Sequence, residues 1–338
     1  MRWFDSSAGG RHVFTRKFCV AALVLAACRS NRAEEQLGPP AAPALATLSV
    51  ASSSAPAPVP PAATELLRLP QSAYGTVLAV ADDAVYFATQ DAAYRLEPGQ
   101  APTKTPLALG VGAAVGALDW VFWSEGAIWR AAKRGGKPRR VASLQHQPLY
   151  FALAGEQLAW LDRNDEGRFS VQVPASPKPR VLVSSGESID AMTVLADDVV
   201  FVERLPAPRW RFGIVHSRGG EVRYSSEHTG RTPAQLATSR QGVTYYDGNA
   251  FELRRFGADL VEQVLAKDVI CSPLAAAESA FCASLEGPFE VTRAGGKRPL
   301  AAAGGRTITN IAANAGRVAW VRDQGASALS VETVAIGQ

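Results

Sequence analysis

The stretch Leu195-Ala-Asp-Asp-Val-Val-Phe-Val-Glu203 decides the fold, because variants of it recur along the chain. It begins as a small polar turn and continues as a short run of apolar, β-branched residues around an aromatic. Aligned on that aromatic position, the seven copies have as their anchors Phe87, Trp123, Trp160, Phe201, Tyr245, Cys282 and Trp320. Successive anchors are 36, 37, 41, 44, 37 and 38 residues apart. A repeat of about 40 residues that carries short strands is typical of radial architectures built from small sheets.

In each unit from about residue 72 onward, the residue pattern predicts four short strands. The first is a run of small apolar residues such as Thr76–Val80, which suits an innermost strand where backbones come close. The anchor strand is second, and an alternating strand such as Phe251–Phe256 is third. A Gly-Gly turn such as Arg218–Glu221 then leads into the fourth. We therefore predict an all-β, seven-bladed β-propeller; six or eight blades are the alternatives if one irregular unit is miscounted.

The last unit predicts how the ring closes. Only three strands remain for it, at Ile308–Ala312, Arg317–Arg322 and Ala328–Val334. A single strand-like segment, Thr64–Leu69, precedes the first complete unit. Pairing of this segment with the last unit would leave no long edge unpaired. The N- and C-terminal strands are therefore predicted to pair and close the propeller.

The segment Val121–Val141 resembles a blade of the YWTD-type and TolB-like propellers. Phe122–Glu125 matches the aromatic strand of those families, and residues of Ile128–Gly136 match the hairpin that follows it. Phe289–Pro299 matches the same hairpin. The resemblance covers residues 64–338 in its rhythm and is sharp in one or two blades. It implies a binding scaffold, although a fold alone does not fix a function.

The N-terminal residues predict export. Arg16 and Lys17 precede the ten-residue apolar run Phe18–Ala27, which is too short to cross a bilayer and suits a secretory signal. The run ends in Leu-Ala-Ala-Cys28, which resembles the bacterial lipobox. In lipoproteins the matching cysteine is lipidated and the chain is cut before it, which anchors the protein to a membrane. The alternative is an ordinary signal peptide with a chance cysteine.

This resemblance predicts the domain organisation and the location. Residues 1–27 are expected to be a lipoprotein signal peptide, and Cys28 the lipidated residue. Residues 28–63 are rich in Ala, Pro and Ser, and are expected to form a disordered tether. Residues 64–338 are expected to form the propeller. The residue after Cys28 is Arg29, which by resemblance favours the outer membrane, with the protein facing the periplasm or the cell surface.

Two insertions predict a binding face. Glu203–Phe212 lengthens the fourth unit, and Ser225–Arg231 is a second insertion in the same unit. Insertions into repeats concentrate on one face, where recognition loops lie. The candidate binding residues are those in which cations and aromatics meet, namely Arg209, Trp210, Arg211 and His228. The alternative for the basic residues is a solvated edge.

Two of the four cysteines remain in the predicted propeller, Cys271 and Cys282. Exported proteins meet an oxidising compartment, and a pair eleven residues apart fits neighbouring strands of a hairpin. A disulfide between them is predicted. The alternative is two small buried apolar side chains.

No pattern of a catalytic, cofactor or metal site stands out. Beyond the signal region the histidines are His146, His216 and His228, and none has metal-ligand spacing to Cys, Asp or Glu. The pairs Asp82-Asp83 and Asp197-Asp198 could serve acid–base chemistry, but both occupy the same repeated turn, where Asp is favoured locally. We therefore predict no cofactor and no metal.

The sequence favours a binding protein over an enzyme. The net charge is +4, and most of it lies in the first 27 residues, so a nucleic-acid partner is not expected. We predict a monomeric cell-envelope lipoprotein, held to the membrane by its lipid, whose propeller is a non-enzymatic scaffold for a protein or glycan partner. The alternative is a propeller enzyme of hydrolase or lyase type with its active site at the channel mouth. Its first candidate residues would be Asp162, Asp165 and Glu166.

Overall fold

The structure is a computed structural model, and it describes residues 62–70, 77–81, 84–89, 92–106, 113–115, 119–124, 126–132, 137–292, 294–302, 306–325 and 328–336. The described residues all belong to one compact unit, Ala57–Gln338. They contain β-strands and no α-helix. Consequently none of them forms a helix long and apolar enough to cross a membrane.

The strands form seven antiparallel sheets that follow one another along the chain. Blade one contains β2 (Val77–Ala81), β3 (Ala84–Ala88), β4 (Ala92–Leu96) and β5 (Thr103–Pro106). Blade two contains β6 (Ala113–Val115), β7 (Asp119–Ser124), β8 (Ala127–Ala132) and β9 (Arg139–Ser143). Blade three contains β10 (Tyr150–Ala154), β11 (Gln157–Arg163), β12 (Phe169–Val173) and β13 (Arg180–Ser185). Blade four contains β14 (Ile189–Leu195), β15 (Asp198–Arg204), β16 (Arg209–His216), and the two short strands β17 (Arg223–Tyr224) and β18 (His228–Thr229), which both pair with β16.

Blades five and six contain β19 (Leu236–Ser239), β20 (Gly242–Asp247), β21 (Glu252–Phe256), β22 (Glu262–Ala266); and β23 (Leu274–Ala276), β24 (Ala280–Ser284), β25 (Gly287–Val291), β26 (Lys297–Pro299). Blade seven is built from both ends of the described chain, with β27 (Ile308–Ala313), β28 (Arg317–Asp323), β29 (Ala328–Ala335) and β1 (Thr64–Pro70).

The first strands of the blades form a closed ring. Each contacts the first strand of the next blade, in the order β2, β6, β10, β14, β19, β23 and β27, and β27 contacts β2. In blade seven, β1 pairs with β29, with Thr64 opposite Thr333 and Pro70 opposite Ala328. The predicted seven-bladed propeller and its closure by the terminal strands are therefore confirmed.

The repeated anchors fill the space between blades. Phe201 packs with Leu161 of the preceding blade, and Trp160 packs with Val121 in the same relation. Most of the anchors are fully buried. Each buried aromatic of this size contributes roughly 1.5–3 kcal/mol to stability. The column of anchors is therefore part of the core between blades.

One anchor was misaligned. In blade two the column position is filled by Phe122, which lies opposite Ala113 on the first strand, as Phe87 lies opposite Leu78 in blade one. Trp123 is only half-buried. Neighbouring residues of a strand point to opposite faces, so the one-residue shift sends Trp123 away from blade one. Two adjacent aromatics left the sequence alignment ambiguous by this one residue.

The up-and-down order of the strands gives the ring two distinct ends. At one end lie the connections between blades and the hairpins between second and third strands; we call it the crossover face. At the other end lie the turns between first and second strands and between third and fourth strands; we call it the turn face. Side chains from the starts of several first strands meet around the axis at the crossover face.

Candidate binding site on the crossover face

Trp210 is a core residue. Only 1% of it is exposed, and its ring stacks on His228 with centroids 4.1 Å apart. It also meets Phe212 and Tyr245 edge-on, at 5.2 and 6.2 Å. The sequence placed Trp210 in a recognition loop, whereas it lies in β16, where alternate side chains point into the interface with blade five. Its expected role on a binding face is therefore corrected.

The two arginines beside Trp210 point the other way and are bound by carboxylates. Arg209 is exposed and donates to Glu227 at 2.8 Å. Arg211 donates twice to Glu203, at 2.9 and 2.7 Å, and its guanidinium covers the Tyr224 ring at 3.6 Å. These contacts hold β17 and the following segment onto β16. They engage both guanidinium groups within blade four.

His228 links blade four to blade five. Its Nε2 lies 3.1 Å from Glu262 Oε1 at the start of β22. Burial alone would raise the pKa of Glu262, but contacts with His228 and Tyr245 outweigh it, and the net pKa is lowered. Burial, followed by the charge of Glu262, raises the pKa of Tyr245. His228 is thus partly buried, in a structural network between the two blades.

A cleft of about 540 Å³ opens on the crossover face across blades three, four and five. Its lining includes Leu149 and Tyr150 at the start of β10 and Ser188–Asp190 at the start of β14. Arg204 at the end of β15 and Arg231–Ala234 before β19 complete it. Since the first strands surround the axis, this cleft lies at the mouth of the ring. Its volume is in the usual range of ligand pockets, about 300–1,000 Å³.

A hydrogen-bonded carboxylate organises the cleft. Asp190 Oδ2 accepts from Arg204 Nε and Nη2, at 2.9 and 2.6 Å, and from Thr232 Oγ1 at 2.8 Å. Asp190 Oδ1 accepts from Ser188 Oγ at 2.7 Å. The Asp190 side chain is 14% exposed, whereas that of Arg204 is 56% exposed. Asp190 therefore fixes the guanidinium of Arg204 while leaving much of it open to solvent.

A second arginine is held by its backbone. The Arg231 N–H donates to Asn249 Oδ1 at 3.1 Å, and Asn249 Nδ2 donates to the Arg231 carbonyl at 3.2 Å. Gly230 N–H donates to the Pro208 carbonyl at 2.6 Å. The side chain of Arg231 is exposed. Two arginines and one carboxylate therefore give the cleft a net positive charge.

The cleft also exposes apolar surface. Leu149, just before β10, and Tyr150, the first residue of β10, are each 47% exposed. Phe169 at the start of β12 adds a partly buried ring. Large apolar side chains exposed beside arginines are characteristic of surfaces that bind a partner.

Sequence reasoning missed most of this site. Asp190, Thr232 and Tyr150 were not singled out, and Arg204 appeared only as part of the fourth-unit insertion Glu203–Phe212. A usable signal was present, because Arg204 lies three residues after the anchor Phe201. In an up-and-down blade that position falls at the crossover end of the second strand. The meeting of three blades at one cleft is not encoded in any single repeat.

The carboxylates proposed for the enzyme alternative have separate surroundings. Asp162 is 9% exposed and accepts from the Arg163 N–H at 2.8 Å and from Gln172 Nε2 at 3.2 Å. Asp165 is 92% exposed and lies 3.8 Å from His146 Nδ1, and Glu166 is exposed. Among the described residues, no group of three His, Cys, Asp or Glu is arranged to hold a metal ion.

One of the two copies of the repeated Asp pair, Asp197-Asp198, lies among the described residues. Asp197 forms the tight turn before β15, its Oδ1 accepting from Gln157 Nε2 at 2.8 Å, and Asp198 opens β15 opposite Leu195. That is the structural role expected of the pair. Asp82-Asp83 lies outside the described residues.

Cys271 and Cys282 are joined by a disulfide, with their Cα atoms 4.8 Å apart. Cys282 lies in β24, but Cys271 precedes β23, so the pair links a connection to a strand and is not directly opposed. Cys28, the signal peptide 1–27 and residues 28–61 of the tether lie outside the described residues. These remain predictions.

No protein-family model matches the chain, and no curated protein matches it. Among solved structures, the Pyrococcus horikoshii acylaminoacyl peptidase is 11% identical with a TM-score of 0.56, over 79% of this chain and 52% of that one. The chain thus spans about half of that peptidase.

The solved structures also include representatives of both families that the sequence resembles. A putative TolB from Agrobacterium tumefaciens is 13% identical, covering 57% of this chain and 80% of that one, with a TM-score of 0.45. A chain of the nidogen/laminin complex is 16% identical, covering 63% of this chain and 91% of that one, with a TM-score of 0.47. At such identities similarity carries the fold and no activity. The chain is a seven-bladed β-propeller, and its similarity to solved structures shows this fold alone.

Proposed function

We propose that this chain is a non-enzymatic binding propeller that captures a protein partner in the cleft on the crossover face. The observation that carries the proposal is the half-exposed Tyr150 beside the guanidinium of Arg204, which Asp190 holds in place. Tyrosine and arginine dominate the energetics of protein interfaces, where a rigid aromatic and a fixed cation lose little entropy on binding.

The charge of the cleft favours an acidic segment of the partner. Arg204 and Arg231 present two exposed guanidinium groups. Asp190 lines the cleft but is only 14% exposed, and its carboxylate is occupied by its own hydrogen bonds. A carboxylate of the partner would meet Arg204 while an apolar side chain of the partner covers Leu149 and Tyr150.

A glycan fits this cleft less well than a protein segment. Sugar hydroxyls need acceptors with free lone pairs, and a carboxylate offers about four such positions. Asp190 accepts four hydrogen bonds from the chain itself, three on Oδ2 and one on Oδ1, so at most one acceptor position is left on Oδ1. Two exposed guanidinium groups add donors without adding acceptors.

The proposed location follows from the N-terminal residues. A lipid at Cys28 would hold the protein on the membrane, and the Ala, Pro and Ser-rich residues after it would let the propeller reach away from the surface. The outer membrane, with the propeller in the periplasm or at the cell surface, is the proposed site of action.

The test is site-specific crosslinking of the full chain in the cells that make it. A photo-crosslinking phenylalanine at position 150 should capture one protein, and the same group at Val181, which is exposed on β13 outside the cleft, should not. Adding Arg204→Glu should abolish the product at position 150. Crosslinks of equal pattern at both positions, or a product insensitive to Arg204→Glu, would overturn the proposal.

A further inference from the structure

A second cavity lies on the turn face, on the opposite end of the ring from the proposed partner cleft. It has a volume of about 370 Å³ and opens between blades five and six. Gln241 in the turn before β20 and Ser279 in the turn before β24 form its rim, and Arg255 on β21 forms part of its wall. Cavities of this size accept small organic ligands.

Arg255 lies in the wall of the cavity, and its hydrogen-bond partners are neutral side chains. Its Nε donates to Thr244 Oγ1 at 3.2 Å, and its Nη1 donates to Gln241 Oε1. Thr244, Arg255 and Gln263 lie opposite one another on β20, β21 and β22, so their side chains share one face of the sheet. These three positions supply polar atoms to that face of the sheet, but none of them carries a carboxylate.

Several other arginines in the described part of the chain have carboxylate partners. Arg254, the preceding residue, donates to Glu252 at 2.7 Å and to Glu262 at 2.9 Å, and Arg322 pairs with Glu332 at 3.0 Å. Arg255 forms no ion pair with a described residue. Its guanidinium is half-buried, and burial lowers its pKa, so desolvation of this cation is not offset by a protein anion.

The other residues of the cavity wall indicate which kind of anionic ligand would fit beside Arg255. Val264, Leu265, Ala280 and Val291 line the cavity and supply apolar surface. Glu278, which is exposed, also borders it. A second negative charge on a ligand would be repelled by Glu278, whereas a single carboxylate could meet Arg255 with its planar fork.

We propose that this cavity binds a monoanionic carboxylate with a short apolar body, in which the carboxylate pairs with Arg255 and the apolar body lies against Val264 and Val291. The site is independent of the partner cleft, because it occupies the other face of the ring and shares no lining residue with it.

Calorimetric titration of the full chain tests the proposal, with hexanoate and inorganic phosphate as probes. Hexanoate should bind saturably and should bind more tightly than phosphate. Arg255→Gln should weaken hexanoate binding at least tenfold, a loss of about 1.4 kcal/mol. Arg223→Gln, at an exposed arginine of β17, is the matched control and should bind hexanoate as the wild type does.

A second variant keeps the test decisive if Arg255→Gln does not fold. Glu278→Gln leaves an exposed turn intact and should strengthen phosphate binding more than hexanoate binding, because it removes the repulsion that discriminates the dianion. Failure of hexanoate to bind the wild type, equal affinity in wild type and Arg255→Gln, or phosphate binding as tight as that of hexanoate would overturn the proposal.

Discussion

Asp190 has two roles that its sequence context does not reveal. Its carboxylate joins Ser188, Arg204 and Thr232 by hydrogen bonds of 2.6–2.9 Å, so it fixes the end of β15 and the start of blade five together. A hydrogen bond to a charged group typically contributes about 1.5–3 kcal/mol, and exposure of Arg204 reduces its share. The residue therefore supports the fold and orients the proposed binding cation at once.

Replacement of Asp190 should cost stability. Asp190→Ala leaves the donors of Ser188 and Thr232 without their acceptor, and we expect a loss of about 2 kcal/mol in the free energy of unfolding. Urea unfolding followed by tryptophan fluorescence measures it. Asp165→Asn, at a fully exposed carboxylate, is the control and should change little. An equal effect of both variants would contradict the role given to Asp190.

Cys28 carries the prediction about location. If the thiol is the lipid acceptor, Cys28→Ser should move the protein from the membrane fraction to the soluble fraction, or leave it unprocessed, because the anchor cannot be attached. Fractionation with detection of the C-terminal part of the chain measures this. Unchanged membrane association of the variant would contradict lipid anchoring at Cys28.

Trp210 shows what a residue-by-residue interpretation can lose. The order Arg209-Trp210-Arg211-Phe212 alternates charged and aromatic residues, which is the pattern of a strand with one buried face. The extra length of the unit favoured a recognition loop instead. Alternation was the stronger signal, since it predicts both the strand β16 and the burial of its aromatics.

Between neighbouring sheets, the contact of β18 with β22 is charged and pH-dependent. His228 stacks on Trp210 and faces Glu262, while Tyr245 and Arg254 approach Glu262 from blade five. Since the folded protein lowers the pKa of Glu262, its ionisation stabilises the fold above the unfolded pKa of about 4.3. That stabilisation is lost as the pH falls through the lower, folded pKa.

Glu262→Gln should therefore lower stability at neutral pH, and its difference from wild type should shrink as the solution is acidified below about pH 4. Thermal unfolding across a pH series measures the difference. Glu227→Gln, whose pair with Arg209 is exposed, is the matched control. A difference that is constant across the series would show that Glu262 acts by packing and not by its charge.

Strands and their order were largely predictable, because the repeat carried them. The anchors gave the second strands in register, apart from the one-residue shift at Trp123, and the Gly-Gly turns gave the hairpins. The cavity beside Arg255 was not predictable. It depends on which charged side chains lack a partner. That is set by contacts between strands, which the sequence of a single strand does not specify.

The ring as a whole depends on β1. Deleting residues up to Pro70 removes β1, leaves β29 with an unpaired edge and opens the last blade. We expect a lower unfolding temperature and concentration-dependent association, measured by thermal unfolding and size-exclusion chromatography. A variant that begins at residue 62 keeps β1 and is the control. Identical behaviour of the two truncated chains would show that β1 does not close the ring.

The architecture of the molecule was the most predictable level, since seven copies of one pattern and one orphan strand specify a closed ring. The partner cleft was the least predictable. It needs Tyr150, Asp190, Arg204 and Thr232, which come from three blades and meet only after the ring has formed. No periodic signal marks them, because they are where the blades differ.

The pairing of β1 with β29 also imposes an order on biosynthesis. Among the described strands, β1 is the first to be made and its partner β29 is the last. Until then β1 has an unsatisfied backbone, and the six intervening blades can stack only as an open arc. A polypeptide interrupted before β29 keeps an exposed strand at each end of that arc, a state prone to aggregation and proteolysis. Synthesis of β29 is thus the event that allows the ring to close.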